Sequence, residues 1–522
     1  MEFDAVATAL RCAARNKVMV GEEHDVNHSH VIERNQSLLS GCEPQVVWRH
    51  FGELAARPRP SGEEEAVRTY IVGWAEDHGL KCYRDDIGNL IVKVPGRGRG
   101  VDAETVIIQG HLDMVTEKNS DSEHCFETDP IALRLDGDRL LASGTTLGAD
   151  NGVGVAIALA AGEGLFADHP PLELLFTIDE ETGMSGAREL DGRYLSGKRL
   201  INLDAEEEGI LYVGCAGGAD SVVTGALARE PARAGELTVE IRVRGLKGGH
   251  SGLDIQRNRG NAIRLLSRAL LRLERDGVAW RLVELQGGSK RNAIPREATA
   301  RLRVRGEMAA RVPGLLTGYL GELKRLHADS EGDWSLEFEV DASDQSETVD
   351  ADTSRRLISL LYTAPNGVLT MSSAIPGLVE SSCNLGVVTM GASSVEVILC
   401  SRSSNDAALE LIPDQIAALS HAFGFVARKQ ASYPGWQPDM SSTMLDISRE
   451  VFEQLHDQPP EVTAIHAGLE CGLLKKILPD CDMISFGPDI NHAHSPDEEV
   501  SVPSVGVVVG QVEALLLALC TR

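Results

Sequence analysis

The sequence predicts an α/β protein, with a mixed sheet covered by helices on both faces and an inserted α+β domain. Over residues 39–217, short apolar segments that predict strands alternate with segments that predict helices. This alternation is typical of a sheet with helices on both faces. From about residue 218, apolar and polar residues alternate with period two, which indicates half-buried strands. The second pattern therefore marks a smaller domain inserted into the first.

The individual elements follow from local patterns. In the first part, IGNLIVKV, ETVIIQG, LELLFTID and RLINLDA predict strands, whereas EEAVRTYIVGWAEDHG and the small-residue segment NGVGVAIALAAG predict helices. In the inserted part, ELTVEIRVRG, ATARLRVRG, WSLEFEVD and VTMGASSVEVILCSRSS predict strands, and NAIRLLSRALLRLERDG predicts an amphipathic helix. We therefore expect a first domain formed by 39–217 and 410–522, and an inserted domain at 218–409.

Residues 1–38 are polar and only weakly periodic, and they include EEHDVNHSH. We expect a flexible or partly helical extension of unknown function. A metal site formed by the histidines of this segment is the less favoured alternative.

Composition excludes several protein classes. The 522 residues are 43% hydrophobic and 25% charged, which is ordinary for a globular protein and excludes a disordered, collagen-like or small disulfide-rich chain. The net charge of −28 argues against nucleic acid and anionic membranes as partners. No uninterrupted apolar run approaches the roughly 18 residues of a membrane span, and the N-terminus lacks a secretory pattern. The ten cysteines form no CxxC pair, so we expect a cytoplasmic protein.

Two of five chemically notable segments carry a histidine or aspartate beside a predicted strand or helix. In IIQGHLDMV, His111 and Asp113 are two residues apart and share one side of an extended chain. The histidine can bind a cation while the aspartate orients its imidazole. In TLGADNGVG, Asp150 lies between Gly148 and Gly152 just before a helix. An ordinary surface loop for the first pair and a helix-capping role for Asp150 are the structural alternatives.

The third segment, LFTIDEETGMSGA, runs from a buried strand into Asp179, Glu180 and Glu181. Adjacent carboxylates at the end of an apolar strand repel one another, and a bound cation relieves that repulsion. Because consecutive residues point in different directions, one glutamate can bind a metal while its neighbour reaches a water. A solvated acidic turn is the alternative.

The last two segments add an aspartate and a pair of histidines. Asp204 in LINLDAEEEG ends another apolar strand, whereas 206–208 predict a solvated acidic turn. In INHAHSPDEEVSV, His492 and His494 precede a serine–proline turn. We expect one of these histidines to be a ligand and the other to support it or to be exposed.

Together the five segments supply nitrogen and oxygen donors that suit two divalent cations bridged by one carboxylate. Paired cations of this kind generate hydroxide from a shared water and polarise a carbonyl. A neighbouring carboxylate that does not bind the metals can take and return the proton. The residues therefore favour a hydrolase with a dinuclear metal site.

The order of the motifs resembles a known family. GHLDMV, GADNGVG, DEETGMSGA, NLDAEEEG, GGHSG and AHSPDE are similar to segments of the cocatalytic zinc peptidases, which include carnosinase and glutamate carboxypeptidase. RNAIPREA, CSRSS and AIHAGLECG extend the resemblance to the cytosolic nonspecific dipeptidases that cleave aminoacyl-histidine (Xaa-His) dipeptides. The resemblance covers residues 39–522. It implies a metallopeptidase catalytic domain with an inserted lid domain that hydrolyses dipeptides, including Xaa-His dipeptides.

The resemblance also implies roles for residues of the first domain. Two divalent metal ions per chain, Zn2+ with Mn2+ or Co2+ as alternatives, would be held by His111, Asp150, Glu181, Asp204 and His494. Asp150 would bridge the two ions, and His111 and His494 would bind one each. Glu180 would be the general base toward a metal-bridging water, and Asp113 would hold the imidazole of His111.

In the lid, the resemblance implies that His250 stabilises the oxyanion, that Asn292 and Arg402 anchor the substrate, and that Glu470 contacts its amino group. An arginine can bind the terminal carboxylate of a dipeptide bidentately. The alternatives are a turn histidine, a turn asparagine, a strand-edge arginine and a helix-capping or supporting glutamate. A homodimer through the lid, and whether His250 serves its own chain or a partner's, stay open.

Two other reactions share this chemistry, namely N-acyl amino acid deacylation and tripeptide aminopeptidase activity. The metal ligands do not separate them, because the lid and the pocket decide specificity. A non-catalytic binding protein on the same fold is the alternative from another class. The expected partner is a small peptide substrate, with neither nucleic acid nor membrane.

Overall fold

The computed structural model describes residues 21–521, and its internal contacts divide the chain into two compact units. Unit 1 comprises the chain up to Val213 together with Asp439–Thr463 and Leu473–Arg522. Unit 2 comprises Gly214–Pro438 and Ala464–Gly472. The second unit is thus inserted into the first, as the sequence predicts.

The described residues form helices and strands in the following order. The helices are α1 (Gly21–Leu39), α2 (Gln45–Ala55), α3 (Glu65–Asp77), α4 (Ala149–Glu163), α5 (Ser185–Arg188), α6 (Ala262–Arg275), α7 (Gly306–Ala309), α8 (Val312–Leu326), α9 (Ala351–Thr363), α10 (Asp406–Ala422), α11 (Thr443–His456), α12 (Glu470–Ile477) and α13 (Val502–Leu519). The strands are β1 (Lys81–Arg84), β2 (Leu90–Val94), β3 (Val106–His111), β4 (Leu133–Asp136), β5 (Arg139–Ala142), β6 (Leu172–Thr177), β7 (Arg199–Asn202), β8 (Ile210–Cys215), β9 (Gly217–Ala226), β10 (Arg229–Glu230), β11 (Glu236–Arg244), β12 (Gly249–His250), β13 (Trp280–Gly287), β14 (Ala293–Ile294), β15 (Ala298–Arg305), β16 (Ser335–Asp341), β17 (Thr348–Val349), β18 (Gly367–Met371), β19 (Val379–Met390), β20 (Ser394–Ser403), β21 (Val426–Tyr433), β22 (Glu461–Ile465), β23 (Asp482–Ser485), β24 (Ile490–Asn491) and β25 (Glu499–Ser501).

The main sheet of unit 1 has the order β1-β2-β6-β3-β7-β23-β8-β22. Its centre, β6-β3-β7-β23, is parallel, whereas β1 and β2 pair antiparallel at one edge, so the predicted mixed sheet is confirmed. Every residue of β3 and β6 is buried. Apolar runs of this kind are typical of strands covered on both faces.

The parallel centre determines where the polar residues after the strands lie. His111 is the last residue of β3 and is paired with Thr177, the last residue of β6. Asp204 comes two residues after the end of β7, which runs parallel to β3. Because parallel strands end at the same edge of a sheet, the side chains that follow them converge there.

A smaller sheet, β24-β25-β5-β4, carries another part of the site. Strands β24 and β25 pair antiparallel, and residues 492–498 connect them. This connection contains both His494 and Glu498. The loop is therefore held at both ends by a pair of strands.

Helix α13 is, by length and composition alone, long and apolar enough to cross a membrane, although Ser504, Gln511 and Glu513 interrupt its apolar residues. Half of it is buried within the protein. Its core side includes Val505, Val508 and Leu515. We interpret it as a core helix of unit 1, since buried core helices share this composition.

The extension at residues 1–38 is described only in part, because residues 1–20 lie outside the described residues. Residues 21–39 form α1, which agrees with the partly helical expectation. The buried Asn35 fastens this helix, since its side chain donates to Ile131 O and accepts from Leu133 N. His28 Nε2 lies 3.2 Å from Asp129 Oδ1.

Unit 2 is built on a nine-stranded sheet. Eight of its strands have the order β16-β11-β15-β13-β19-β20-β9-β21, and β18 pairs with β19 beside this path. Helix α6 contributes seven of its eight buried residues, among them Leu266 and Leu270, to a core shared with the inward side chains of β11 and β15. The predicted α+β character of the inserted domain follows from this sheet and its helices.

The boundaries of the inserted domain differ from the prediction at its end. Residues 410–438 and 464–472, expected in the first domain, belong to unit 2 instead. The reason is that α10 and β21 continue this unit, with β21 pairing antiparallel along β9. The local sequence does not reveal this pairing, because the two strands are separated by about two hundred residues.

Candidate active site

In unit 1, the His111 imidazole has different surroundings at its two nitrogens. Its Nδ1 lies 3.2 Å from Asp113 O and 3.5 Å from Asp113 Oδ1, so this nitrogen is the donor in the neutral ring. Its Nε2 lies 3.1 Å from Asp150 Oδ1 and 3.2 Å from Asp204 Oδ1. The unprotonated nitrogen therefore faces two carboxylate oxygens, an arrangement that is stable only with a cation, whether a proton or a metal.

Asp150 lies between the two predicted histidines. Its Oδ1 faces His111, and its Oδ2 lies 3.2 Å from His494 Nε2. The second histidine is also 3.1 Å from Glu181 Oε2. The two oxygens of one carboxylate are thus divided between two half-sites, one with His111 and Asp204 and one with His494 and Glu181.

The donor set fits divalent cations. Ligand atoms of His111, Asp150 and Glu181 all lie within 4.8 Å of one another. Glu181 Oε1 is buried and accepts no hydrogen bond from the described groups. An orphaned carboxylate oxygen beside imidazole nitrogens and other carboxylates is the environment that a metal ion satisfies.

The pKa values of the groups around Asp150 show the same demand for positive charge. Hydrogen bonds to Asp150 and Glu181 raise the pKa of His494 to about 11. Burial raises the pKa of Asp204 to about 6 against the opposing charge of His111. Burial works in the same sense on Asp150, but hydrogen bonds from the two histidines hold its pKa below the usual range. Protons on the histidines thus occupy the place that metal ions take when they bind.

Asp113 organises the acidic segment that follows β6. Its Oδ1 accepts from Glu180 N at 3.0 Å, and its Oδ2 accepts from Glu181 N at 3.1 Å and from Ser61 Oγ at 2.7 Å. Burial opposes its ionisation, but the hydrogen bond from His111 and these donors lower the pKa of Asp113 to about 2. One carboxylate therefore orients the imidazole and the two glutamates together.

Glu498 was not predicted as a site residue, although the motif AHSPDE contains it. Its buried carboxylate accepts hydrogen bonds from four consecutive backbone N–H groups, those of 147–150, at 2.7–3.3 Å. These groups open α4, and anions are favoured at a helix N-terminus. The sequence signal available for Glu498 was its position four residues after the predicted ligand His494.

Arg59 is a second residue that the sequence did not single out. Its buried guanidinium donates to the backbone oxygens of Leu112, Asp113 and Gly148. Gly148 has a φ of +71°, and a Cβ there would lie 2.4 Å from the Arg59 guanidinium, so only glycine fits. Arg59 thus connects the loop after β3 to the turn before α4.

The acidic turn after β7 is only partly solvated. Glu207 and Glu208 are exposed as expected, but Glu206 is half-buried. Burial raises the pKa of Glu206 to about 8, and the charge of Asp150 adds to the rise. The prediction of a solvated turn is therefore wrong for Glu206. Both C-terminal histidines are exposed, and His494 is the one that faces the carboxylates.

In unit 2, two of the predicted substrate residues lie side by side. His250 Nδ1 accepts from the backbone N–H groups of Gly252 and Leu253, so Nε2 carries the hydrogen of the neutral ring. This Nε2 lies 3.4 Å from an Arg402 nitrogen. Because both groups are donors, they do not satisfy each other, and both suit a shared acceptor oxygen.

Arg402 is buried in β20 and is held by neutral groups. Its guanidinium donates to Tyr433 Oη at 3.2 Å and lies 3.5 Å from Ser251 Oγ. Among the residues that the structure describes, no carboxylate forms an ion pair with it. The Tyr433 ring lies over Gly218, where a Cβ would approach it to 2.6 Å. A buried guanidinium without a carboxylate is suited to an anionic ligand.

The other predicted residues of this unit take the following positions. Asn292 is exposed, and its backbone oxygen accepts from Ser251 N, next to His250. Glu470 is fully buried at the first residue of α12. A pair that the sequence did not predict, Ser382 Oγ and His466 Nε2, lies 2.7 Å apart.

Comparison with known proteins bears directly on this donor set. The family described as peptidase family M20/M25/M40 matches residues 107–518, most of the chain. The chain belongs to this family. It is therefore a peptidase, and M20 peptidases use divalent metal ions. The resemblance inferred from the motifs is confirmed.

Two relatives of this M20 peptidase cover nearly its whole length. The cytosol non-specific dipeptidase of Escherichia coli (strain K12) is 42% identical over 470 residues, which are 90% of this chain and 96% of that protein. The crystal structure of the aminoacylhistidine dipeptidase from Vibrio alginolyticus is 40% identical and has a TM-score of 0.84, with coverage of 92% and 97% of the two chains. Aminopeptidase PepT from Bacillus cereus ATCC 10987, with 14% identity and a TM-score of 0.53, shares the fold, with coverage of 92% and 99%.

Proposed function

We propose that this M20 peptidase is a cytoplasmic dipeptidase that holds two divalent metal ions per chain and hydrolyses dipeptides, including Xaa-His dipeptides. The observation that carries the proposal is the division of one carboxylate, that of Asp150, between His111 and His494. The similarity to two dipeptidases over nine-tenths of the chain supports the substrate class.

The proposed ligands are His111 and Asp204 for one ion and His494 and Glu181 for the other, with Asp150 between them. Zn2+ suits these donors best, and Mn2+ and Co2+ accept them too. When bound, such ions polarise the peptide carbonyl and lower the pKa of water.

Glu180 is the proposed general base. Its backbone N–H is held by Asp113, while the adjacent Glu181 faces His494. A carboxylate beside the ligands, but not among them, can take the proton of the attacking water and return it to the leaving nitrogen.

Residues of unit 2 are the proposed substrate-binding groups. His250 is the proposed donor to the oxyanion, and the adjacent Arg402 has the chemistry to bind a terminal carboxylate. The backbone oxygen of Asn292 accepts a hydrogen bond from the N–H of Ser251, the residue that follows His250. This proximity to His250 supports a role of Asn292 as an anchor. The burial of Glu470 at a helix start suits either a contact with the substrate amino group or a structural role.

A substrate panel tests the reaction class. The zinc- and manganese-loaded protein is assayed with Xaa-His dipeptides, other dipeptides, tripeptides and N-acyl amino acids. We expect the highest kcat/KM for dipeptides. A preference for acyl amino acids would assign a deacylase, a preference for tripeptides would assign a tripeptide aminopeptidase, and no hydrolysis by the metal-loaded protein would favour a binding protein.

The variant Glu180→Gln tests the proposed base. We expect it to bind metal normally and to lose turnover by a factor of about 10²–10⁴, the usual contribution of a general base. The matched control is Glu189→Gln, an exposed glutamate of the same segment. Near-normal kcat in Glu180→Gln would show that another group accepts the proton.

A homodimer through the lid is the proposed assembly. Edge strand β16 exposes Phe338 and Val340, with 39% and 45% of their surfaces accessible. Exposed apolar residues on a free strand edge favour association. Analytical ultracentrifugation of the protein and of Phe338→Lys tests this, and a monomer at all concentrations would contradict it.

A further inference from the structure

Unit 2 contains a cavity of about 520 Å³ that lies entirely within this unit. It is lined by the loop before α6, by the first turns of α6 itself, and by residues at the end of α9 and the start of β18. None of the residues proposed above to bind the peptide substrate lines it. The volume lies in the range of small-molecule sites, roughly 300–1,000 Å³.

The walls of this cavity are basic, although the chain as a whole carries a charge of −28. Arg259, Arg264, Arg268 and His327 line it, and no lining residue is a carboxylate. Arg259 is neutralised by Asp254, whose Oδ1 lies 2.8 Å away. Two arginines therefore determine the charge of the cavity.

Arg264 and Arg268 lie one helical turn apart on α6 and point to the same side. Within residues 21–521, neither arginine forms an ion pair with a carboxylate. Arg264 donates only weakly to Asn366 O, at 3.4 Å, and Arg268 stacks over the Tyr319 ring at 5.8 Å. The N-terminal turn of the helix adds a favourable potential for an anion.

A buried polar atom provides an independent observation. Asn384 is 1% exposed, and its amide Nδ2 donates to Arg291 O and Ala293 O, which determines its orientation. Its Oδ1 is buried and has no hydrogen-bond partner among residues 21–521, and the residue lines the cavity. A buried acceptor without a donor is costly, so the wall of the cavity at Asn384 is not fully satisfied by its own polar groups.

From these features we propose that the cavity binds a small phosphate monoester. Arginines bind phosphate bidentately, and two unpaired guanidinium groups match the charge of about −1.5 to −2 on a phosphate monoester at neutral pH. Ile255, Leu265 and Ile294 supply apolar walls for the organic part of the ligand.

The test is calorimetric titration of the metal-loaded full chain with two probes, adenosine 5′-monophosphate and inorganic phosphate. We expect saturable binding of the nucleotide that weakens at least tenfold in Arg264→Ala/Arg268→Ala, as the loss of charge-assisted hydrogen bonds predicts. The control is Arg272→Ala/Arg275→Ala, which removes the same charge from the same helix outside the cavity.

Nucleotide binding that is equal in both double variants, or no saturable binding of either probe at millimolar concentration, would overturn the proposal. Inorganic phosphate that binds as tightly as the nucleotide, with the same arginine dependence, would support the phosphate subsite and identify free phosphate as its source. If the double variant does not fold, Arg268→Ala against Arg275→Ala gives the same comparison.

Discussion

The Glu498 carboxylate accepts a hydrogen bond from the backbone N–H of Asp150, 348 residues away along the chain. Glu498 follows His494 by four residues in the loop between β24 and β25, and His494 faces Asp150. The same carboxylate also accepts from the three preceding N–H groups. It therefore connects the segment that carries the central carboxylate to the loop that carries one of the proposed metal-binding histidines.

Replacement of Glu498 by glutamine tests this positioning role. Each carboxylate oxygen of Glu498 accepts from two N–H groups. Glutamine keeps one of these acceptor oxygens, and its NH2 group replaces the other with a donor. We expect metal affinity to fall by about 10–100-fold, the usual effect of losing a group that orients ligands. Competition with a chelating dye measures it.

The matched control is Glu499→Gln, which changes the neighbouring, more exposed glutamate at the start of β25. Its metal affinity is expected to stay within experimental error of the original. Unchanged affinity in Glu498→Gln would mean that the helix N-terminus holds Asp150 without this carboxylate.

The variant Tyr433→Phe removes only the hydroxyl that accepts from Arg402. If Arg402 anchors the substrate, its guanidinium becomes less ordered, so KM for a dipeptide rises while kcat stays close to the original. The loss of one hydrogen bond, about 0.5–1.5 kcal/mol, corresponds to a rise of roughly 2–12-fold.

Tyr319→Phe is the control, because the buried Tyr319 hydroxyl has no hydrogen-bond partner in the described part of the chain. An equal change in KM in both variants, or a drop in kcat alone in Tyr433→Phe, would contradict the positioning of Arg402.

Removal of metal is expected to destabilise the protein. Without cations the carboxylates near Asp150 depend on protonated histidines. Binding to the folded state contributes about 2.7 kcal/mol at a free metal concentration of 100 times Kd. We expect dialysis against chelator to lower Tm, zinc to restore it, and emission spectroscopy to find two ions per chain. A Tm that is independent of metal would argue against a loaded site.

Stability also depends on pH through His50, which is fully buried between Tyr70 and Glu163. Burial, reinforced by Arg49, lowers the pKa of His50 to about 4 from 6.5. The folded state thus binds the proton less well than the unfolded state. The contribution of His50 is complete above pH 6.5 and is lost as the pH falls toward 4.

Between pH 6.5 and 5 this loss is on the order of 2 kcal/mol, since one pKa unit corresponds to about 1.4 kcal/mol. Urea unfolding at the two pH values should show a smaller difference for His50→Gln than for the original protein. The control His30→Gln changes an exposed histidine and should leave the difference unchanged. A pH dependence that is identical in all three proteins would contradict the assignment.

Much of the candidate site follows from local patterns. His111, Glu181 and Asp204 each end or follow an apolar strand, and the structure brings them together because parallel strands end at one edge of the sheet. The residue types alone indicate a cation, since clustered carboxylates are stable only when their charge is balanced. Such inferences need only the few residues around each position.

Contacts between segments that are distant in the sequence could be identified only from the structure. No sequence pattern predicts that Glu498 accepts from four backbone N–H groups, that Tyr433 binds Arg402 or that Glu206 is half-buried. The partners in these contacts lie far apart in the sequence. The end of the inserted unit was missed for the same reason, as β21 joins a strand from its beginning. Residue order thus specified the chemistry of the donors, whereas packing of remote segments decided how each donor is held.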